Sequence, residues 1–150
     1  MARNWVADYV EEKKQNSVAK LTNLQILRVE APVLFKLVGI QVCKDVGEYR
    51  DLAGCYDLES SNVWATKFKV FKRTFPAVSL EVSLVGTLLQ CQYSFKKSQA
   101  DARKEEISLI QIAVGESGKV QFFKGEDPFE DEYQISSALL KRVFDYLGPD

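Results

Sequence analysis

The chain has 150 residues, 46% of them hydrophobic and 27% charged, with 20 basic and 21 acidic side chains for a formal net charge of -1. Average globular usage of this kind excludes a disordered chain, and the near-neutral balance excludes a global field that would draw the protein onto nucleic acid or an anionic membrane. Histidine is absent, which removes the usual general base, the Ser-His and Cys-His nucleophile pairs and the commonest metal ligand.

The start of the chain, Met1 to Trp5 with charges by Asp8, lacks the apolar core and cleavage site of a signal peptide. The longest apolar runs, 31–35 and 37–40, are far shorter than a membrane span. Cys43, Cys55 and Cys91 form no Cys-x-x-Cys pair, and their odd number argues against a disulfide framework. The expectation is one soluble, cytoplasmic domain over residues 1–150.

Residues 4 to about 21 are predicted helical, with Trp5, Tyr9, Val10, Val18 and Leu21 roughly on one side and Glu11, Lys13 and Lys14 among the charged positions. The apolar stripe is thin, so this segment is either a surface helix or an arm for a partner, Trp5 and Tyr9 being its candidate contacts. The stretch 31–53 has β-branched residues that favour strand and a spacing that favours helix. The spacing prevails: Pro32 suits a first turn, Leu34, Leu37, Val38, Val42, Val46 and Tyr49 recur at three and four, and Gly54 closes the end. Lys36, Lys44, Glu48 and Asp51 then take the opposite face.

From Trp64 the period becomes two. Phe68 and Val70 alternate with Lys67 and Lys69, and Val78, Leu80, Val82 and Leu84 with Ser79, Glu81 and Ser83. After a tight turn at Gly86-Thr87, Leu89, Cys91, Tyr93 and Phe95 alternate with Gln90, Gln92 and Ser94. Residues 96–106 read as a loop, 107–114 as a strand, and Gly115-Glu116-Ser117-Gly118 as the turn into a short strand at 119–124. A final helix is predicted from about 131 to 147, with Ile135, Leu139, Val143 and Tyr146 inward and Gly148-Pro149 as its stop.

The predicted fold class is therefore α+β: two N-terminal helices, an antiparallel meander of four to five strands, and a C-terminal helix packed on one sheet face. At fold level alone this order resembles TATA-binding-protein-like or cystatin-like sheets curved around a helix. No family motif accompanies the likeness, and it implies no function.

Three readings of function arise. Absence of a catalytic constellation favours a non-catalytic interaction or assembly domain, with a protein partner or a second copy meeting Trp5, Tyr9 and Phe71. A small-ligand or enzymatic domain would instead need a cavity between the sheet and the helix at 31–53, lined by Tyr49, Trp64, Cys91 and Tyr93, with Cys43 nearby. Nucleic acid is not an expected partner; weak binding of it, the second alternative, would use Lys67, Lys69, Lys72 and Arg73, joined by Lys96 and Lys97 and flanked by Phe68 and Phe71. No nucleotide loop of the glycine-rich type is present, so no cofactor is expected. No catalytic residue stands out, and no membrane partner is expected. The acidic run Glu126 to Glu132 has the wrong spacing for a calcium loop, and it reads as helix capping rather than as a metal site.

Overall fold

A computed structural model describes residues 5–64, 66–115 and 118–147. The expectations that fell on Asn4, Glu116, Ser117, Gly148 and Pro149, and on the side chains of Val18, Leu21 and Trp64, lie outside the described residues.

Helix α1 runs over Trp5–Ala53, so both predicted helical stretches lie within one continuous span, about 73 Å long at 1.5 Å per residue. Strands β1 (Leu58–Trp64), β2 (Lys67–Lys72), β3 (Ala77–Val85), β4 (Leu88–Lys96), β5 (Lys104–Val114), β6 (Val120–Lys124) and β7 (Asp127–Pro128) follow, and helix α2 (Glu132–Leu147) closes the chain. The seven strands pair antiparallel in chain order. The class is α+β as predicted, with more strands than the four or five expected. The additional ones are β1 and β7. In β1 Leu58 is buried and the following Glu59-Ser60-Ser61-Asn62 is polar, so over 58–62 the strand shows no apolar alternation. The predicted loop at 96–106 is shorter, because Lys104, Glu105 and Glu106 pair with Phe95, Ser94 and Tyr93.

One sheet face is apolar. Phe68, Val70, Leu80, Val82, Leu89, Cys91, Tyr93, Phe95, Ile110, Ile112 and Phe122 are buried on it, and the register sets them in cross-strand rows such as Val70, Leu80 and Tyr93. Both helices cover this face. Ala31, Phe35, Val38, Val42 and Val46 of α1 are buried, with Phe35 5.3 Å from Phe68 by ring centroid. Leu37, expected inward, is exposed instead. A step of one residue from Val38 turns a side chain about 100° around the helix, enough to leave the covered side.

Helix α2 buries Ile135, Leu139, Leu140 and Val143. The Tyr93 hydroxyl donates to the Leu139 carbonyl at 2.8 Å, and Arg142 grips Glu106 through two hydrogen bonds while lying 4.4 Å from the Phe95 ring centroid. Asp131 caps its start by accepting from the Gln134 amide at 2.9 Å. At the end of α1, Gly54 has φ 69°, and the Cys55 amide donates back to the Arg50 carbonyl at 3.1 Å. This left-handed closing turn suits glycine because any Cβ there is strained. Among the described residues no helix is long and apolar enough to cross a membrane.

The two helices are joined by a polar tie within apolar packing. Ser136, fully buried, donates to Asp45 at 2.6 Å, and Gln41 donates to the other carboxylate oxygen at 2.9 Å. Beside the tie, Tyr49 and Phe144 stack at 3.9 Å. Removing Asp45 leaves two donors without an acceptor, whereas removing the serine hydroxyl leaves a carboxylate that keeps Gln41. Asp45→Ala is therefore expected to lose about 1–3 kcal/mol of unfolding free energy, and Ser136→Ala about 1 kcal/mol. Urea denaturation of the two single variants and the double variant checks this. The double should cost less than the sum of the singles, and full additivity would show the tie to be energetically idle.

Candidate functional site

Of the residues expected to line an inner pocket, Cys91 and Tyr93 are packed into the core and Tyr49 along its border, while the side chain of Trp64 lies outside the described residues. Cys91 is completely buried, Tyr93 is 5% exposed and spends its hydroxyl on α2, and Tyr49 is covered by Phe144. Cys43 is half-buried on α1. Burial pushes the Cys91 thiol up to about 12. It also raises the Tyr93 phenol, with Cys91 adding to the effect, and it raises the Tyr49 phenol. Cys55 is raised by burial and then by the negative charge of Asp57. Raised thiols are poor nucleophiles at neutral pH, so Cys91 and Cys55 have the electrostatics of inert side chains. Among the described residues no group of three or more Cys, Asp or Glu is placed to share a metal ion.

The residues expected at a protein interface divide between two places. Trp5 and Tyr9 lie on the first turns of α1 and are 73% and 51% exposed. Phe71 is on β2, where the buried Phe68 and Val70 point to the helices and Phe71 alternates to the other sheet face. Trp5 and Tyr9 belong to an arm. The covered part of α1 begins near Leu27, and before it Trp5, Tyr9, Val10 and Leu24 are exposed. At 3.6 residues per turn Tyr9, Val10 and Leu24 continue the helix face that carries Ala31, Phe35, Val38 and Val42 further along, and Trp5 lies to one side of it. A second apolar stripe, Val29, Val33, Leu37 and Ile40, runs on the opposite face and is also exposed. Where the arm leaves the sheet, Leu24, Leu27 and Ala31 face Thr66, Leu84 and Gly86 across a cleft of about 360 Å³.

The basic strand is sorted by its contacts. Glu81 lies across from Lys69 on β3; it takes Lys67 at 2.8 Å and Lys69 at 3.8 Å. Lys72 alternates to the inner side, where its ammonium donates to the carbonyls of Thr74 and Pro76 and lies 3.7 Å from Asp57. Thr74 also donates to Asp57, and this bond is the main reason that the Asp57 carboxyl is held below its usual range. Lys72 is thus a structural cation for the loop 73–76. Arg73 is exposed, with its guanidinium 5.3 Å from the Phe71 ring centroid.

Lys69, Phe71 and Arg73 line a groove of about 520 Å³ together with Ser61, Ser79, Ser94, Lys96 and Arg103. The pairing register explains the gathering. Ala77 is opposite Lys96, and one further step along the β2–β3 and β4–β5 ladders sets Arg73 beside Ala77 and Lys96 beside Arg103. Three cations from distant parts of the chain thereby form one row across the sheet. Phe71, Ser79 and Ser94 form the next row, with Glu59 and Glu105 at its two ends. Sequence reasoning named Lys69, Phe71, Arg73 and Lys96 but not Arg103. The missing signal was the start of β5 at Lys104, which a reading of 96–106 as loop conceals. The chain matches no family model, no curated protein and no solved structure.

The raised Cys91 thiol has a consequence for stability. The unfolded thiol ionises near 8.5, while the folded one resists ionisation up to about 12. Its contribution is therefore complete below about pH 8.5 and is lost as pH rises toward 12, at up to about 1.4 kcal/mol per pH unit. Urea denaturation between pH 8.5 and pH 10 should show falling stability that is shallower in Cys91→Ala. An identical slope in the two proteins would remove Cys91 as its source.

Proposed function

We propose that this domain is a non-catalytic assembly module that pairs with a second copy of itself through the first half of α1. One observation carries the reading: the helix runs about twenty residues beyond the sheet and keeps Tyr9, Val10 and Leu24 exposed along the face that elsewhere is buried in the core, with Trp5 exposed beside them. Helices in water draw most of their stability from packing an amphipathic face rather than from intrinsic propensity. The arm carries β-branched Val6 and Val10 together with Asn16 and Ser17, which are weak helix formers. A partner helix supplies the missing packing, and large exposed aromatics such as Trp5 and Tyr9 are the side chains that most strengthen such contacts.

The charge balance of the arm allows a second copy as the occupant. Asp8, Glu11 and Glu12 offset Lys13, Lys14 and Lys20, so two arms meet without net repulsion. Such a pair is a closed two-fold arrangement in which the same surface serves both partners. The cleft beside Leu24 and Leu27 offers further apolar area at the base of the arm.

Sedimentation equilibrium of the full chain should give a dimer, and far-ultraviolet circular dichroism should show helix content falling on dilution as arms separate. The double variant Trp5→Ser/Tyr9→Ser is expected to weaken dimerisation at least tenfold while the sheet and its melting transition persist. A monomer at all concentrations with undiminished helix would overturn the proposal.

A further inference from the structure

We infer that the open face of the sheet is a binding site for single-stranded nucleic acid, with phosphates along the row Arg73, Lys96 and Arg103 and a base against Phe71. The groove has the two chemistries that such a ligand needs, a track of cations and a ring on which a base can stack. The three cations of the row are uncommitted to carboxylates: among the described residues Arg73, Lys96 and Arg103 make no ion pair. Two of them instead lie near aromatic rings, Arg73 at 5.3 Å from Phe71 and Lys96 at 6.0 Å from Phe75. That arrangement holds their charge at the groove without neutralising it. No carboxylate lines the groove. Glu81 is taken up by Lys67 and Lys69, and Glu59 and Glu105 stand at the ends of the neighbouring row.

Reach selects a strand over a free nucleotide. The row crosses three inter-strand steps, about 14 Å at 4.8 Å per step, so it spans more than one phosphate can contact. A single strand also presents its base faces, which a duplex hides within its stack. The hydroxyls of Ser79 and Ser94, beside Phe71 on the floor of the groove, are hydrogen-bond partners for sugar or phosphate oxygens. The local field overrides the chain's net charge of -1 because counterion release depends on the cations in contact with phosphate, not on the whole-protein sum. The site lies on the sheet face opposite the helices, so the inference does not depend on how the α1 arm assembles.

The test is fluorescence anisotropy of the full chain with a labelled oligothymidylate about a dozen nucleotides long. Three phosphate contacts predict a log-log salt slope near −2 and therefore roughly a 16-fold weakening between 50 and 200 mM salt. R73E/R103E, at two exposed positions without ion pairs, should weaken binding at least tenfold. F71A should weaken it several-fold with the salt slope unchanged, and K36E/K44E, at exposed positions on the far side of α1, should leave it unaltered. Salt dependence of the unmodified protein needs no variant to fold, so the inference stays testable if a substitution destabilises the sheet. Absent or salt-insensitive binding would overturn it, as would binding unchanged by R73E/R103E. Equal affinity for a duplex of the same length, or displacement by thymidine monophosphate at matched nucleotide concentration, would overturn the assignment to a single strand.

Discussion

Alternate side chains within β2 to β6, among them Phe68, Leu80, Cys91, Ile112 and Phe122, are buried on one side of the sheet, and the need to remove that side from water governs the rest of the molecule. A lone meander cannot bury its own apolar face. The C-terminal half of α1 and the whole of α2 supply the cover, meeting each other at the stacked Tyr49 and Phe144 and at the Asp45, Ser136 and Gln41 tie. Because both helices are committed to one side, no helix or strand among the described residues covers the other side of the sheet. The polar alternation of the strands makes that exposure tolerable: Ser79, Glu81 and Ser83 on β3, and Gln90, Gln92 and Ser94 on β4, are side chains content in water.

The same commitment separates the molecule into two surfaces with different physics. One is the helix arm, where Tyr9, Val10 and Leu24 continue the line of the core and are exposed. The other is the open sheet face, where Arg73, Lys96 and Arg103 collect at one end. They lie on opposite sides of the β-layer, so a partner on the arm leaves the groove accessible. This division also reorders the residues the sequence suggested. Phe71 leaves the company of Trp5 and Tyr9 and joins the cations, while Lys72, part of the basic strand by sequence, turns inward to hold the loop 73–76 to Asp57.

Periodicity made much of the architecture legible. The alternation in β2 to β4 and the spacing of Ile135, Leu139 and Val143 were readable because each element buries one continuous face, the condition under which a period appears. Gly54 as the end of α1 was readable because its backbone conformation selects glycine. Strand β1 left no such trace, since polar residues follow Leu58 from Glu59 to Asn62 and an edge strand can be polar on both sides. In α1 two apolar stripes on opposite faces blur the period: Leu37 belongs to the exposed stripe, although its spacing from Leu34 reads as part of the buried one. The cation row was invisible for a different reason. Arg73 and Arg103 are thirty positions apart in the chain, and only the register of three strand pairs makes them neighbours.

Strand order has a further consequence, for the way the chain reaches this structure. Because β1 to β7 lie side by side in the order in which they occur, each ladder is closed by a short connection, and the sheet can grow one hairpin at a time with little loop entropy to overcome. The helices behave differently. Asp45 and Ser136 are 91 positions apart, so the helix pair can clasp only after the intervening strands have brought its two ends together. The β-layer thus assembles from local steps, and the docking of α1 against α2 is the distant closure that makes folding of the whole domain cooperative.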